Sequence, residues 1–125
     1  MRIRNTLWAP SAAAAAMLAG ASTLAATDDG FSAFWKSFAA AAATDGAQLA
    51  TMVVMGPRLG DEASFAQVHA HYLTARARRC LSTANPKRDV DGNGEVNYSV
   101  FCGATDYVFY KTKTGWKLTD IGAND

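Results

Sequence analysis

The chain has 125 residues, 50% of them hydrophobic and 18% charged, with 12 Lys and Arg against 11 Asp and Glu and two cysteines. A balance so close to neutral excludes the basic excess that nucleic-acid binding usually requires. The length allows one small domain with a modest core.

The first segment, "MRIRNTLWAPSAAAAAMLAGASTLAATDD", carries Arg2 and Arg4 ahead of an apolar, alanine-rich run to about Ala21, followed by small residues. A short basic head, an apolar run too short to span a bilayer and small residues before a polar stretch match a secretory signal peptide. Cleavage is expected after Ala25, with Thr23 at minus three, or after Ala26, with Ala19 and Ala21 offering an earlier site. The working division is residues 1–25 as leader and 26–125 as one domain, destined for the periplasm or for secretion. Ala21 stands where a lipoprotein box would need cysteine, so no lipid anchor is expected, and no apolar span remains after cleavage. An uncleaved N-terminal anchor is the alternative. Losing Arg2 and Arg4 with the leader leaves 10 cationic against 11 anionic side chains. In an oxidising compartment Cys80 and Cys102 are most simply read as one disulfide, worth about 3 kcal/mol by chain entropy, with two buried thiols as the alternative.

In "DDGFSAFWKSFAAAAATDG", Phe31, Phe34, Trp35 and Phe38 recur at helical spacing, with Asp28 or Asp29 as cap and Gly46 as terminator. Such an aromatic stripe has to lie on another apolar surface, here a sheet. A short helical turn with Leu49 and Met52 follows a cap at Asp45, and Val53 to Met55 read as a short strand before Gly56 and Pro57. "DEASFAQVHAHYLTARARR" has Ser64 three residues before Gln67, a capping-box spacing, and predicts one long second helix ending near Arg79.

From Cys80 the period changes to two. Val96, Tyr98, Val100 and Cys102 share a face, Tyr107 and Phe109 oppose Val108 and Tyr110, and Trp116 and Leu118 oppose Lys117, Thr119 and Ile121. Three strands joined by "GA" and "KTKTG" predict an antiparallel meander. "CLSTANPKRDV" is a weaker fourth strand, with Pro86 at an edge or bulge. "DVDGNGEV" resembles the front of a calcium loop, with Asp89, Asp91, Asn93 and Gly94 in place and Glu95 as an irregular ligand. The bidentate position falls on Val100, and the flanks lack helices, so the stretch is read as a primed hairpin turn rather than a metal site. Cys80 and Cys102 are each 11 residues from Asp91, which predicts that this turn brings them together across two paired strands.

A helix with "FWKSF", a short helical turn ending in "GP", a further helix and a sheet ending in "GWKLTDI" resemble small exported domains of the NTF2-like, or cystatin-like, α+β superfamily. The resemblance covers nearly all of the expected exported part. It implies an α+β fold with N-terminal helices on a curved antiparallel sheet of about four strands. It also implies a concave pocket, for which the candidate lining is Trp35, Phe38, Tyr98, Tyr107, Phe109 and Trp116. Such scaffolds serve enzymes, binding modules and adaptors alike, so chemistry has to come from the site.

The first functional expectation is a non-enzymatic exported module that holds a small apolar ligand or a protein partner on the concave sheet face. A pocket enzyme is the second, with Asp106 or His69 as general base beside Tyr98 and Tyr107. The third is an envelope-interaction or inhibitory protein whose sheet edge near Leu81 to Pro86 pairs with a partner strand. No cofactor is implied and no nucleic-acid partner is expected. His69 and His71, two residues apart, point to different helix faces and make a poor metal pair. Arg76 to Arg79, with Lys87 and Arg88, read as cations at a helix end and a solvated edge rather than as a polymer-binding patch.

Overall fold

The computed structural model describes residues 29–56, 58, 59 and 62–123. The leader and its cleavage positions fall on residues 1–28, outside the described residues. Helix α1 runs from Phe31 to Ala42, and the Phe31 amide donates to Asp29 Oδ1 at 3.0 Å, as the capping pattern predicts. Asp45 Oδ1 then accepts from the Ala47 amide at 2.9 Å and opens a 3-10 turn, Ala47–Met52, that buries Leu49.

Two helices follow in place of the single long one expected. α2, Phe65–His71, starts at Ser64, whose hydroxyl accepts from the Gln67 amide. α3, Ala75–Thr83, starts at Thr74, whose hydroxyl accepts from the Ala77 amide. The Tyr72 and Leu73 amides both converge on the Val68 carbonyl, so the chain leaves the helical path there and sends Leu73 into the core. The threonine at position 74 competes with helix continuation by capping a new start, which hydrophobic periodicity alone does not reveal.

The sheet is an antiparallel meander, order β1-β2-β3-β4: Lys87–Val90, Val96–Cys102, Thr105–Thr112 and Gly115–Ala123. The chain is therefore an α+β protein in which helices precede a four-stranded antiparallel sheet. The predicted fourth strand is cut back to Lys87–Val90, because Cys80 to Thr83 belong to α3. The β1–β2 connection also differs from the primed turn expected. Asp91 O accepts from the Gly94 amide, Gly94 takes φ 82°, and the Asp91 amide bonds Glu95 O at 2.9 Å. This is a turn closed by a left-handed glycine, the three-residue hairpin loop.

No bulge sits at Pro86. The sheet's register shift lies instead between β3 and β4, where Val108 pairs with Asp120 and Phe109 with Leu118, so Thr119 is an extra residue. The expected alternation placed Ile121 opposite to Leu118. With Thr119 bulged out, parity changes and Ile121 pairs with Tyr107, both buried.

One sheet face, the inner one, therefore carries Val100, Tyr107, Phe109, Leu118 and Ile121. Phe109 is its centre: the rings of Phe38, Trp35 and Phe34 lie 5.0, 5.5 and 5.9 Å from its own. The free side of β4 is covered by the segment before α2, since the Val54 amide bonds Leu118 O and the Ile121 amide bonds Arg58 O. Val53 contributes a single bridge to Leu118 and does not extend into the strand predicted for it.

Cys80 and Cys102 form a disulfide, with Cα atoms 5.9 Å apart. The expected pairing holds, but the expected geometry does not. Cys80 projects from α3, so the bridge ties helix to sheet rather than strand to strand. Among the described residues no helix is long and apolar enough to cross a membrane.

Two outcomes follow for stability. Replacing both cysteines by alanine lowers the unfolding free energy by about 3 kcal/mol in denaturant titration, the chain-entropy value for such a loop. Ile121→Ala costs roughly 2–5 kcal/mol in the same titration, the range for emptying a buried aliphatic site, because the extra residue at Thr119 turns this side chain inward opposite Tyr107; an unchanged midpoint would place Ile121 outside the core.

Candidate functional site

Among the described residues, the six aromatics expected to line a pocket are found packed on one another. Phe38, Tyr107, Phe109 and Trp116 are buried, Trp35 stacks on Phe38 at 5.4 Å, and Tyr98 meets Trp116 edge-on at 5.3 Å. The centre of the inner face is packed with the protein's own rings. Of the six, Tyr107 lines a cleft of about 360 Å³ further along that face, with His71, Tyr72, Thr74, Arg76, Ala77, Cys80, Cys102, Gly103 and Thr105.

The cleft follows from three local features. The α2–α3 break exposes the end of α2 to the sheet, and the Tyr107 hydroxyl donates to the Tyr72 carbonyl, satisfying one of the acceptors a helix end leaves unpaired. The disulfide holds α3 over the end of β2. Gly103, with φ 65°, opens the two-residue turn to β3 and keeps that end of the sheet tight. Burial pushes the Tyr107 phenol up to about 12, against the weaker opposite effect of its hydrogen bond with Thr105, so it remains a neutral donor.

At the cleft wall His71 Nδ1 lies 2.5 Å from Glu62 Oε2. The Glu62 side chain is 13% exposed and that of His71 62%, so a mostly buried carboxylate orients an accessible imidazole whose other nitrogen is left for a ligand. Arg76 lines the same cleft. The lining set contains one guanidinium, one imidazole and four hydroxyls, but no carboxylate. Arg78, from the same basic run, is not part of it: its Nη1 donates to Leu73 O at 2.7 Å and its stem passes under Gly46. An added Cβ on Gly46 would meet that stem at 2.5 Å, and the residue holds φ 81°, so glycine is required there twice over.

The two proposed bases lie apart. His69 Nε2 bonds the Asp45 carbonyl at 2.9 Å and fastens the loop after α1. Asp106 pairs with Phe101 and Gly122 and projects from the outer face of the sheet, away from Tyr107. Among the described residues its buried Oδ1 has no hydrogen-bond partner, and burial, reinforced by the nearby Asp120 carboxylate, raises its pKa above the ordinary value. Asp120 itself pairs with Arg58 at 3.3 Å.

The calcium-like stretch spends its oxygens internally. Asp91 Oδ1 accepts from the Asn93 and Glu95 amides at 2.8 and 3.0 Å, and Oδ2 accepts from the Tyr110 hydroxyl at 2.9 Å. The Glu95 amide bond leads the effects that lower the Asp91 pKa. Asp89 Oδ1 accepts from the Val90 amide, and among the described residues no group of three His, Cys, Asp or Glu side chains is placed to hold a metal ion.

The sheet edge expected near Leu81 to Pro86 is helix and loop; the open edge is Lys87–Val90, exposed throughout. Because Asp91 is ladder-bonded to Glu95, alternation turns the Val90 and Arg88 amides outward. The Val90 amide is taken by Asp89, and Pro86 has none, so the edge offers a partner strand few donors.

No family profile, curated protein or solved structure matches the chain.

The two perturbed carboxylates predict opposite pH effects. Asp91, lowered, contributes stability that is present above its unfolded pKa and fades as pH falls through the folded value. Asp106, raised, favours the fold when protonated and disfavours it as pH rises through its folded value. Asp106→Asn therefore raises the melting temperature at pH 7, and the gain shrinks towards pH 3; a loss at pH 7 would mean that Asp106 has a partner it needs.

Proposed function

We propose that the chain is an exported, non-enzymatic binding module of NTF2-like type, and that its ligand site is the cleft beside the Cys80–Cys102 bridge. Helices preceding a four-stranded antiparallel sheet, together with a disulfide, are compatible with that assignment. The observation that carries the reading is the division of the inner face. Its centre is closed by Phe34, Trp35 and Phe38 around Phe109, whereas its disulfide end opens into about 360 Å³ lined by donors. That volume lies at the small end of ligand pockets. The ligand is accordingly polar rather than the apolar one that an open aromatic cone would take.

A second reading, acid–base catalysis, is favoured by the His71–Glu62 pair. A buried carboxylate on Nδ1 leaves Nε2 as the proton acceptor at the cleft, the arrangement of a general base. In this reading His71 replaces His69 and Asp106 as the base.

Crystallographic fragment screening of the oxidised protein tests the binding reading. Polar fragments are expected between Arg76, Thr105 and Cys102; hits seated instead among Trp35, Phe109 and Trp116 would return the site to the aromatic centre. Incubating bound fragments in deuterium oxide separates the second reading, because catalysis by His71 introduces deuterium at an acidic carbon and His71→Gln prevents this even at fragment concentrations that saturate the cleft.

A further inference from the structure

The charge of the ligand follows from what lines the cleft. Arg76 projects from the first turn of α3 into it, and no ion pair engages Arg76 among the described residues, where the salt bridges are Arg58 with Asp120 and His71 with Glu62. A guanidinium is permanently charged and presents paired donors that match a planar or tetrahedral oxyanion. His71, oriented by Glu62 at Nδ1, presents its other nitrogen to the cleft, and this nitrogen donates to an anion when both ring nitrogens carry hydrogen. The Thr74 and Tyr107 hydroxyls already have partners, Thr74 accepting from Ala77 and Tyr107 donating to Tyr72, which fixes the wall rather than leaving it to adapt. The Asp106 and Asp120 carboxylates lie on the other face of the sheet, where they cannot neutralise Arg76 by contact. The remaining surface is apolar: the disulfide, Ala77 and the tyrosine rings.

We infer that the cleft takes a small organic anion, whose carboxylate or phosphate group Arg76 and His71 hold while its short apolar part lies against the disulfide and Ala77. This inference rests on the cleft being the ligand site, and it adds the ligand's chemical class. A neutral sugar would use the hydroxyls but leave the guanidinium unmatched. A cation would be repelled by Arg76, and the Glu62 carboxylate at the rim is already engaged by His71.

The test is an amide NMR titration of the oxidised protein with three probes at matched ionic strength: inorganic phosphate, propionate and glycerol, with sodium chloride as the reference. Phosphate or propionate is expected to shift the Arg76, Ala77, Gly103 and Thr105 amides saturably, and the stronger of the two identifies which oxyanion the cleft prefers. Arg76→Gln is expected to weaken that binding about tenfold or more, as the loss of a charge-assisted hydrogen bond does. Lys113→Gln, in the exposed β3–β4 turn, is expected to leave it unchanged. Equal shifts with chloride, or anion affinity undiminished in Arg76→Gln, would overturn the inference. Shifts with glycerol alone would overturn the anionic class and keep the cleft as a binding site; no shift at these amides with any probe would remove both.

Discussion

The structure turns on the contact between one ring of the sheet and one face of a helix. Phe109 is fully buried in the middle of β3, and Phe34, Trp35 and Phe38 of α1 reach it from above at centroid distances of 5.0 to 5.9 Å. Edge-on approaches of this kind place the positive rim of one ring against the negative face of another and add to the gain from burying large apolar surface. Filling the inner face in this way also decides where a ligand can go. With the centre occupied, a cleft lies where the helical layer changes direction, at the α2–α3 break.

That break and the disulfide act on the same corner. Capping by Thr74 starts α3 in a new direction, and the bridge from Cys80 to Cys102 fixes the new helix over the end of β2. Tyr107 joins the two halves through its bond to the Tyr72 carbonyl. A cleft built on a covalent link and a buried phenol is held open by the structure rather than formed on binding, which lowers the ordering cost a ligand must offset. Glu62 and His71 sit at its rim, supplied by the loop before α2 and by the last residue of α2.

Much of the architecture was legible from local pattern. The aromatic stripe of α1, the period-two runs of β2, β3 and β4, the Ser64 cap and the cysteine pair all appear where spacing and residue type placed them, because each depends on neighbours a few residues away. The errors share a different cause. Thr74 escapes periodicity because a cap inside a helical period looks like an ordinary surface position. Cys80 reads as a strand residue because equal spacing from Asp91 fits a hairpin as well as it fits a helix folded back on a sheet. The bulge at Thr119 leaves no mark beyond an apolar Ile121 on the wrong parity, and that mismatch was the available signal. The pairing of Glu62 with His71 joins residues on either side of the Ser64 cap, and no sequence spacing announces it. The cleft itself was invisible, since it is made by the relation between α3 and the β2–β3 turn rather than by any motif.

The central claim is that the inner face is closed at Phe109. It is tested most directly by nuclear Overhauser contacts from the Phe109 ring protons in the oxidised protein in solution. The account predicts contacts to all three of Phe34, Trp35 and Phe38. Their absence, with the Phe109 ring open to a soluble paramagnetic probe, would mean an open concave face, and the aromatic centre rather than the disulfide end would then be the place where a ligand binds.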